Sequence, residues 1–88
     1  MPYRVIEVQS TPNPNAAKFI LDRSVSDQPT SFFTAESAKG HPLAQRLFGI
    51  QGVSSLLLLG DFITINKNAD GDWKKITRLA KEALETQP

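Results

Sequence analysis

Val5, Ile6 and Val8 stand among polar neighbours in residues 3–9, and apolar side chains recur through Ala17-Lys18-Phe19-Ile20-Leu21-Asp22. Both patterns predict half-buried strands. Between them, Ser10-Thr11-Pro12-Asn13-Pro14-Asn15 breaks the periodicity. Its prolines fix φ and remove N–H donors, while asparagine side chains close turns on nearby backbone. The two strands are expected to pair antiparallel across this loop. Further along, residues 53–59 and 62–67 flank Gly60-Asp61, a turn signal of the primed hairpin type. That turn sets Leu59 opposite Phe62, Leu58 opposite Ile63, Leu57 opposite Thr64 and Leu56 opposite Ile65. One face of the hairpin then carries Leu56, Leu58, Ile63 and Ile65 and is core. The other carries Leu57, Leu59, Phe62 and Thr64, more apolar than a purely solvated face requires.

Two segments have helical spacing. Leu43, Ala44, Leu47 and Phe48 form one apolar face after Pro42, a residue suited to a first helical turn. Gly49 is expected to stop this helix in a left-handed conformation, with Ile50 folding back on the last turn. Trp73, Ile76, Leu79, Ala80, Ala83 and Leu84 form the buried stripe of a final helix. Asp70 or Asp72 is placed to cap it. Residues 23–39 read as irregular chain, pinned by Phe32 and Phe33, with one short helical turn within 34–39. The predicted order is strand, strand, helix, strand, strand, helix. That is an α+β two-layer sandwich: a four-stranded, mainly antiparallel sheet with both helices on one face. No linker or repeat divides the chain, so residues 1–88 are expected to form a single domain.

Composition narrows the chemistry. Hydrophobic residues make up 40% and charged residues 22%, which fits a folded globular chain rather than a disordered one. Ten basic against nine acidic residues leave +1, too little to point to nucleic acid or a membrane by charge alone. No apolar run reaches the ~18 residues of a transmembrane helix, and the N-terminus resembles neither a signal nor a transit segment. A cytoplasmic location is the expectation. There is no cysteine and one histidine, which leaves no thiolate cluster ligand and no pair of imidazoles. No metal or other cofactor is expected.

Individual residues offer little catalysis. His41, beside Pro42, lacks a local carboxylate or nucleophile and reads as a helix cap. Asn68-Ala69-Asp70-Gly71-Asp72 holds a fragment of a calcium loop without its later glutamate, so a capped turn accounts for it. Lys74, Lys75, Arg78 and Lys81 make a basic helix face, diluted by Glu82 and Glu85, that reads as solvated. The glycines show no phosphate-loop spacing and the serines no nucleophile elbow.

Thr11-Pro12-Asn13-Pro14-Asn15-Ala16-Ala17-Lys18-Phe19-Ile20-Leu21-Asp22 resembles the signature of the N-terminal domain of Nfu/NifU-type iron–sulfur scaffold proteins. The likeness continues in Pro42-Leu43-Ala44 with Leu47-Phe48, in Gly52-Val53, in Asp61-Phe62-Ile63-Thr64-Ile65 with Lys67, and in Trp73. It implies a domain that, in full-length members, precedes a second domain whose Cys-x-x-Cys pair binds a bridging cluster. These residues contain no such pair. The resemblance carries over no catalytic residue.

The leading expectation is therefore a non-catalytic accessory domain for iron–sulfur cluster assembly or delivery, monomeric, docking a protein partner that brings its own cysteines. Its candidate surface is Asn13, Asn15, Leu57, Leu59 and Phe62. The same Leu57, Leu59, Phe62 face is equally open to being covered by residues 23–39. The alternative function is a nucleic-acid or anionic-ligand module using Lys74, Lys75, Arg78 and Lys81; a small enzyme built on His41 ranks third. Ligand supply makes the first expectation testable. Elemental analysis of the untagged protein should find neither stoichiometric iron nor zinc, and one tightly held ion per chain would contradict it.

Overall fold

The computed structural model describes residues 3–86. The elements are β1 (Val5–Ser10), β2 (Ala16–Leu21), β3 (Ser26–Phe32), a 3-10 turn (Glu36–Ala38), α1 (Pro42–Phe48), β4 (Val53–Gly60), β5 (Phe62–Lys67) and α2 (Trp73–Glu85). The sheet has five antiparallel strands in the order β1-β2-β5-β4-β3. The α+β two-layer arrangement is as expected, but the strand count is one higher.

The β4–β5 register is the one the turn predicts: Leu59 opposite Phe62, Leu58 opposite Ile63, Leu57 opposite Thr64, Leu56 opposite Ile65. Gly60 has φ +56° and, among the described residues, no non-glycine has positive φ, so only the first turn position is left-handed. That is the pattern of a II′ turn, whose twist matches the strands it joins. The chain clasps this turn from both sides. The Leu21 N–H donates to the Asp61 carbonyl at 2.7 Å, and the Val25 N–H donates to the Gly60 carbonyl at 2.7 Å. Leaving β2, the chain passes around the turn and descends β4 as the extra edge strand.

This strand, β3, corrects the reading of residues 23–39. Its sequence, Ser-Asp-Gln-Pro-Thr-Ser-Phe, lacks apolar alternation because the strand is an edge with few buried positions. Pro29 and a register shift between Ser26 and Thr30 interrupt its ladder, features that edges tolerate. Phe32 is buried opposite Leu56 and meets the His41 ring edge-on at 5.2 Å. Phe33 does not anchor the segment: it lies just past the end of β3 and is 74% exposed.

Both helices lie on the core face. Leu43, Ala44 and Leu47 of α1, with Ile76, Ala80, Ala83 and Leu84 of α2, close over Phe19, Leu21, Leu56, Leu58, Ile63 and Ile65. His41 caps α1, its Nδ1 accepting the Ala44 N–H at 3.2 Å. Asp72, rather than Asp70, caps α2 by accepting the Lys74 N–H at 3.0 Å. Gly49 has φ −68° and is not left-handed. The reversal after α1 falls instead at Gly52, φ +100°, where an added Cβ would stand 3.2 Å from the Ile76 side chain and 3.3 Å from the Gly71 backbone. Ile50 does fold back into the core, its N–H donating to the Leu47 carbonyl at 3.1 Å.

Trp73 also departs from expectation. It is half-buried at the margin of the core, and its Nε1–H donates to the Pro14 carbonyl at 2.8 Å. It ties the start of α2 to the proline–asparagine loop instead of filling the interior. At the other end of β1, the Arg4 N–H donates to the Asp22 carboxylate at 3.0 Å. This bond, helped by the Arg23 guanidinium, holds the Asp22 carboxyl below its ordinary range.

Gly40 and Gly52 make a matched test, because both have positive φ but only Gly52 is crowded. Gly52→Ala should be less stable than Gly40→Ala by at least ~1 kcal/mol, backbone strain being common to both. Equal melting temperatures would show that the Gly52–Ile76 contact does not limit the packing of α2.

Candidate interaction surface

A sheet with both helices on one face leaves the other face without a covering layer. Side chains on the core face of β2, β4 and β5 are nearly or wholly inaccessible, while Ile20, Leu57, Leu59 and Phe62 on the opposite face are half-buried. The register makes them neighbours. Phe62 lies between Leu59 on β4 and Ile20 on β2. In the adjoining row, Thr64 lies between Leu57 and Lys18. The Lys18 ammonium reaches back over the Phe62 ring, 4.1 Å from its centroid, within cation–π range. The result is an apolar quartet with one cation lying across it.

Residues 23–39 do not cover this patch. They pair edge-to-edge with β4, put Phe32 on the core face and lead into α1. Leu57, Leu59 and Phe62 are thus brought together as the hairpin register requires, and they stay accessible. Ile20 joins them, a residue the sequence reading did not select. Its signal was present, since Ala17, Phe19 and Leu21 share one strand face and leave Ile20 with Lys18 on the other.

Asn13 and Asn15 are not part of the patch. They precede β2, whereas Ile20 is near its end, roughly 16 Å away at strand rise. Their side chains are engaged in the fold. Asn13 Oδ1 accepts the Asn15 N–H at 2.9 Å, and Asn15 Oδ1 accepts from the Lys67 ammonium at 3.0 Å. The Ala16 N–H donates to the Asn13 carbonyl at 3.0 Å, and the Thr11 hydroxyl donates to the same carbonyl at 2.9 Å. These bonds brace the loop as a corner that positions Pro14 for Trp73.

Among the described residues, no three of His, Cys, Asp and Glu are grouped to hold a metal ion, and no helix is long and apolar enough to cross a membrane. The His41 ring is engaged at the start of α1 by the Ala44 N–H and by Phe32. Nothing in this surface supplies a nucleophile with a neighbouring base.

Residues 6–87 match the family described as scaffold protein Nfu/NifU N terminal. Over 73 residues the chain is 45% identical to the human "NFU1 iron-sulfur cluster scaffold homolog, mitochondrial", covering 81% of this chain and 29% of that protein. A NifU-like protein of Schizosaccharomyces pombe is 37% identical over 75 residues, covering 81% of this chain and 28% of the relative. The chain thus spans less than a third of the length of these relatives. The solution structure of a NifU-like protein from Saccharomyces cerevisiae superposes with a TM-score of 0.78 at 31% identity, covering 96% of this chain and 79% of that one. A crystal structure of a Staphylococcus aureus protein, with a TM-score of 0.79 at 20% identity, shares the fold.

The two sheet faces should respond differently to a polar substitution. Ile63→Ser, on the inaccessible core face, is expected to cost about 3–5 kcal/mol. Phe62→Ser, one residue away, should cost about 1–2 kcal/mol through lost cross-strand and cation–π contacts. Denaturant unfolding of the pair checks this, and equal losses would mean the open face is covered in solution.

Proposed function

The chain belongs to the Nfu/NifU N-terminal family, and we propose that it serves iron–sulfur cluster assembly or delivery as a non-catalytic docking domain. Residues 1–88 act in this reading as one folding unit. The observation that carries it is the apolar quartet Ile20, Leu57, Leu59 and Phe62 on a sheet face left bare by both helices. Three or more large apolar side chains side by side on a flat face are the usual material of an interface centre. The cluster itself is cargo for which these residues offer no thiolate, so the partner brings the cysteines. The names of the human and fission-yeast relatives, an iron–sulfur cluster scaffold homolog and a NifU-like protein, support that choice of partner class.

Asn13 and Asn15 then act from a distance, holding the corner of the fold rather than touching the partner. The cytoplasmic placement belongs to the same proposal. A mitochondrial one is its competitor, since the human and Arabidopsis relatives are mitochondrial by name.

The test is capture from the native cell with the wild-type chain and with Leu57→Ser/Phe62→Ser. The wild type should retain a protein with a Cys-x-x-Cys pair and bound iron. The double variant should stay folded and lose at least nine-tenths of that capture. Undiminished capture by the double variant would sink the proposal, as would a retained partner without cluster ligands.

A further inference from the structure

The two sheet edges are not alike. β3 is guarded: Pro29 lacks a donor, and the Ser26 and Thr30 hydroxyls both donate to the Gln28 carbonyl, at 2.7 and 3.0 Å. β1 has no proline, and its one irregularity, between Val5 and Glu7, lies at its start. The Asp22 N–H donates to the Arg4 carbonyl at 3.0 Å. Antiparallel alternation therefore turns Ile20 and Lys18 towards β1, and with them their partners Glu7 and Gln9. The backbone groups of Val8 and Ser10 face outward, away from the sheet.

That free edge borders a groove of about 370 Å³ whose walls include Val8, Ser10, Pro14, Ala17, Trp73 and Thr77. Trp73 and Thr77 also line the adjoining recess, completed by Lys74, Arg78 and Lys81. Neither recess is lined by an acidic residue. The acids of α2 face elsewhere: Glu82 lines a recess with Arg46, and Glu85 lines one with Arg23. Among the described residues, Lys74, Arg78 and Lys81 enter no ion pair.

We propose that the β1 edge and the Lys74, Arg78, Lys81 row of α2 together form a strand-addition groove for an extended acidic segment of a partner protein. The chemistry of each wall sets one property of the occupant. Outward N–H and C=O groups at Val8 and Ser10 pair with another extended backbone. Cations without carboxylate partners select acidic side chains. Spacing adds register: alternate residues of an extended chain repeat every ~6.6 Å, close to the ~6 Å rise from Lys74 to Arg78. The occupant should therefore carry Asp or Glu at alternate positions. Single-stranded nucleic acid fits less well, since the one aromatic here, Trp73, is held by Pro14 and overlain by Lys67 at 5.8 Å. This groove is distinct from the bare sheet face, so it stands or falls independently of the docking proposal.

Fluorescein-labelled Glu-Val-Glu-Val-Glu-Val tests it by anisotropy against the whole chain. The peptide should bind, shift the Val8 and Ser10 amide resonances, and weaken as salt rises. Three changes should each weaken it at least tenfold: Lys74→Glu with Arg78→Glu in the protein, rearrangement to Glu-Glu-Glu-Val-Val-Val, and N-methylation of the peptide bonds that would face β1. The last leaves the protein untouched, so a folding defect cannot imitate it. Absence of binding would overturn the proposal. So would N-methylated peptide binding as well as the parent, or an oligothymidylate of equal charge binding as tightly, because either outcome describes a polyanion surface without strand addition.

Discussion

The Gly60–Asp61 turn is the constraint on which the rest of the structure depends. Its left-handed first residue locks the β4–β5 register, and the register decides which leucines face the helices. A slip of one residue would send Leu56, Leu58, Ile63 and Ile65 to the bare face and Leu57, Leu59 and Phe62 inward. The turn also positions chain remote in sequence. Its two carbonyls accept the Leu21 and Val25 N–H groups, so the end of β2 and the approach to β3 are both referenced to it. Sheet order follows from that clasp. β2 lies against β5 and β3 against β4, although β2 and β3 are consecutive in the chain.

Two short helices cannot cover both faces of a five-stranded sheet. They cover one, and the opposite face is left to a compromise in which strands keep apolar residues for cross-strand packing while exposing part of each to water. The half-burial of Ile20, Leu57, Leu59 and Phe62 expresses that compromise, and Lys18 shields the Phe62 ring. The edges show the same economy of means. Proline and broken register guard β3, whereas β1 keeps a regular stretch bordering a groove that adjoins the basic recess of α2.

Local signals in the amino-acid order determined the two hairpins, the β4–β5 pairing, the extent of both helices and the one-sided core. These depend on periodicities of two and 3.6 residues and on turn chemistry, all read within a dozen residues. The patch of Leu57, Leu59 and Phe62 was legible for the same reason. The tertiary structure alone decided what needed partners far away in the chain. β3 is a strand because β4 offers it an unpaired edge, not because Ser-Asp-Gln-Pro-Thr-Ser favours one. Trp73 faces a loop because the Pro14 carbonyl is within 2.8 Å, a contact spanning 59 positions. Ile20 joins the patch, and Asn13 and Asn15 stay outside it, because strand order brings β2 beside β5 with its far end at the loop. Sheet order is a property of the closed structure, since the hydrogen bonds that set it join residues with no shared local pattern.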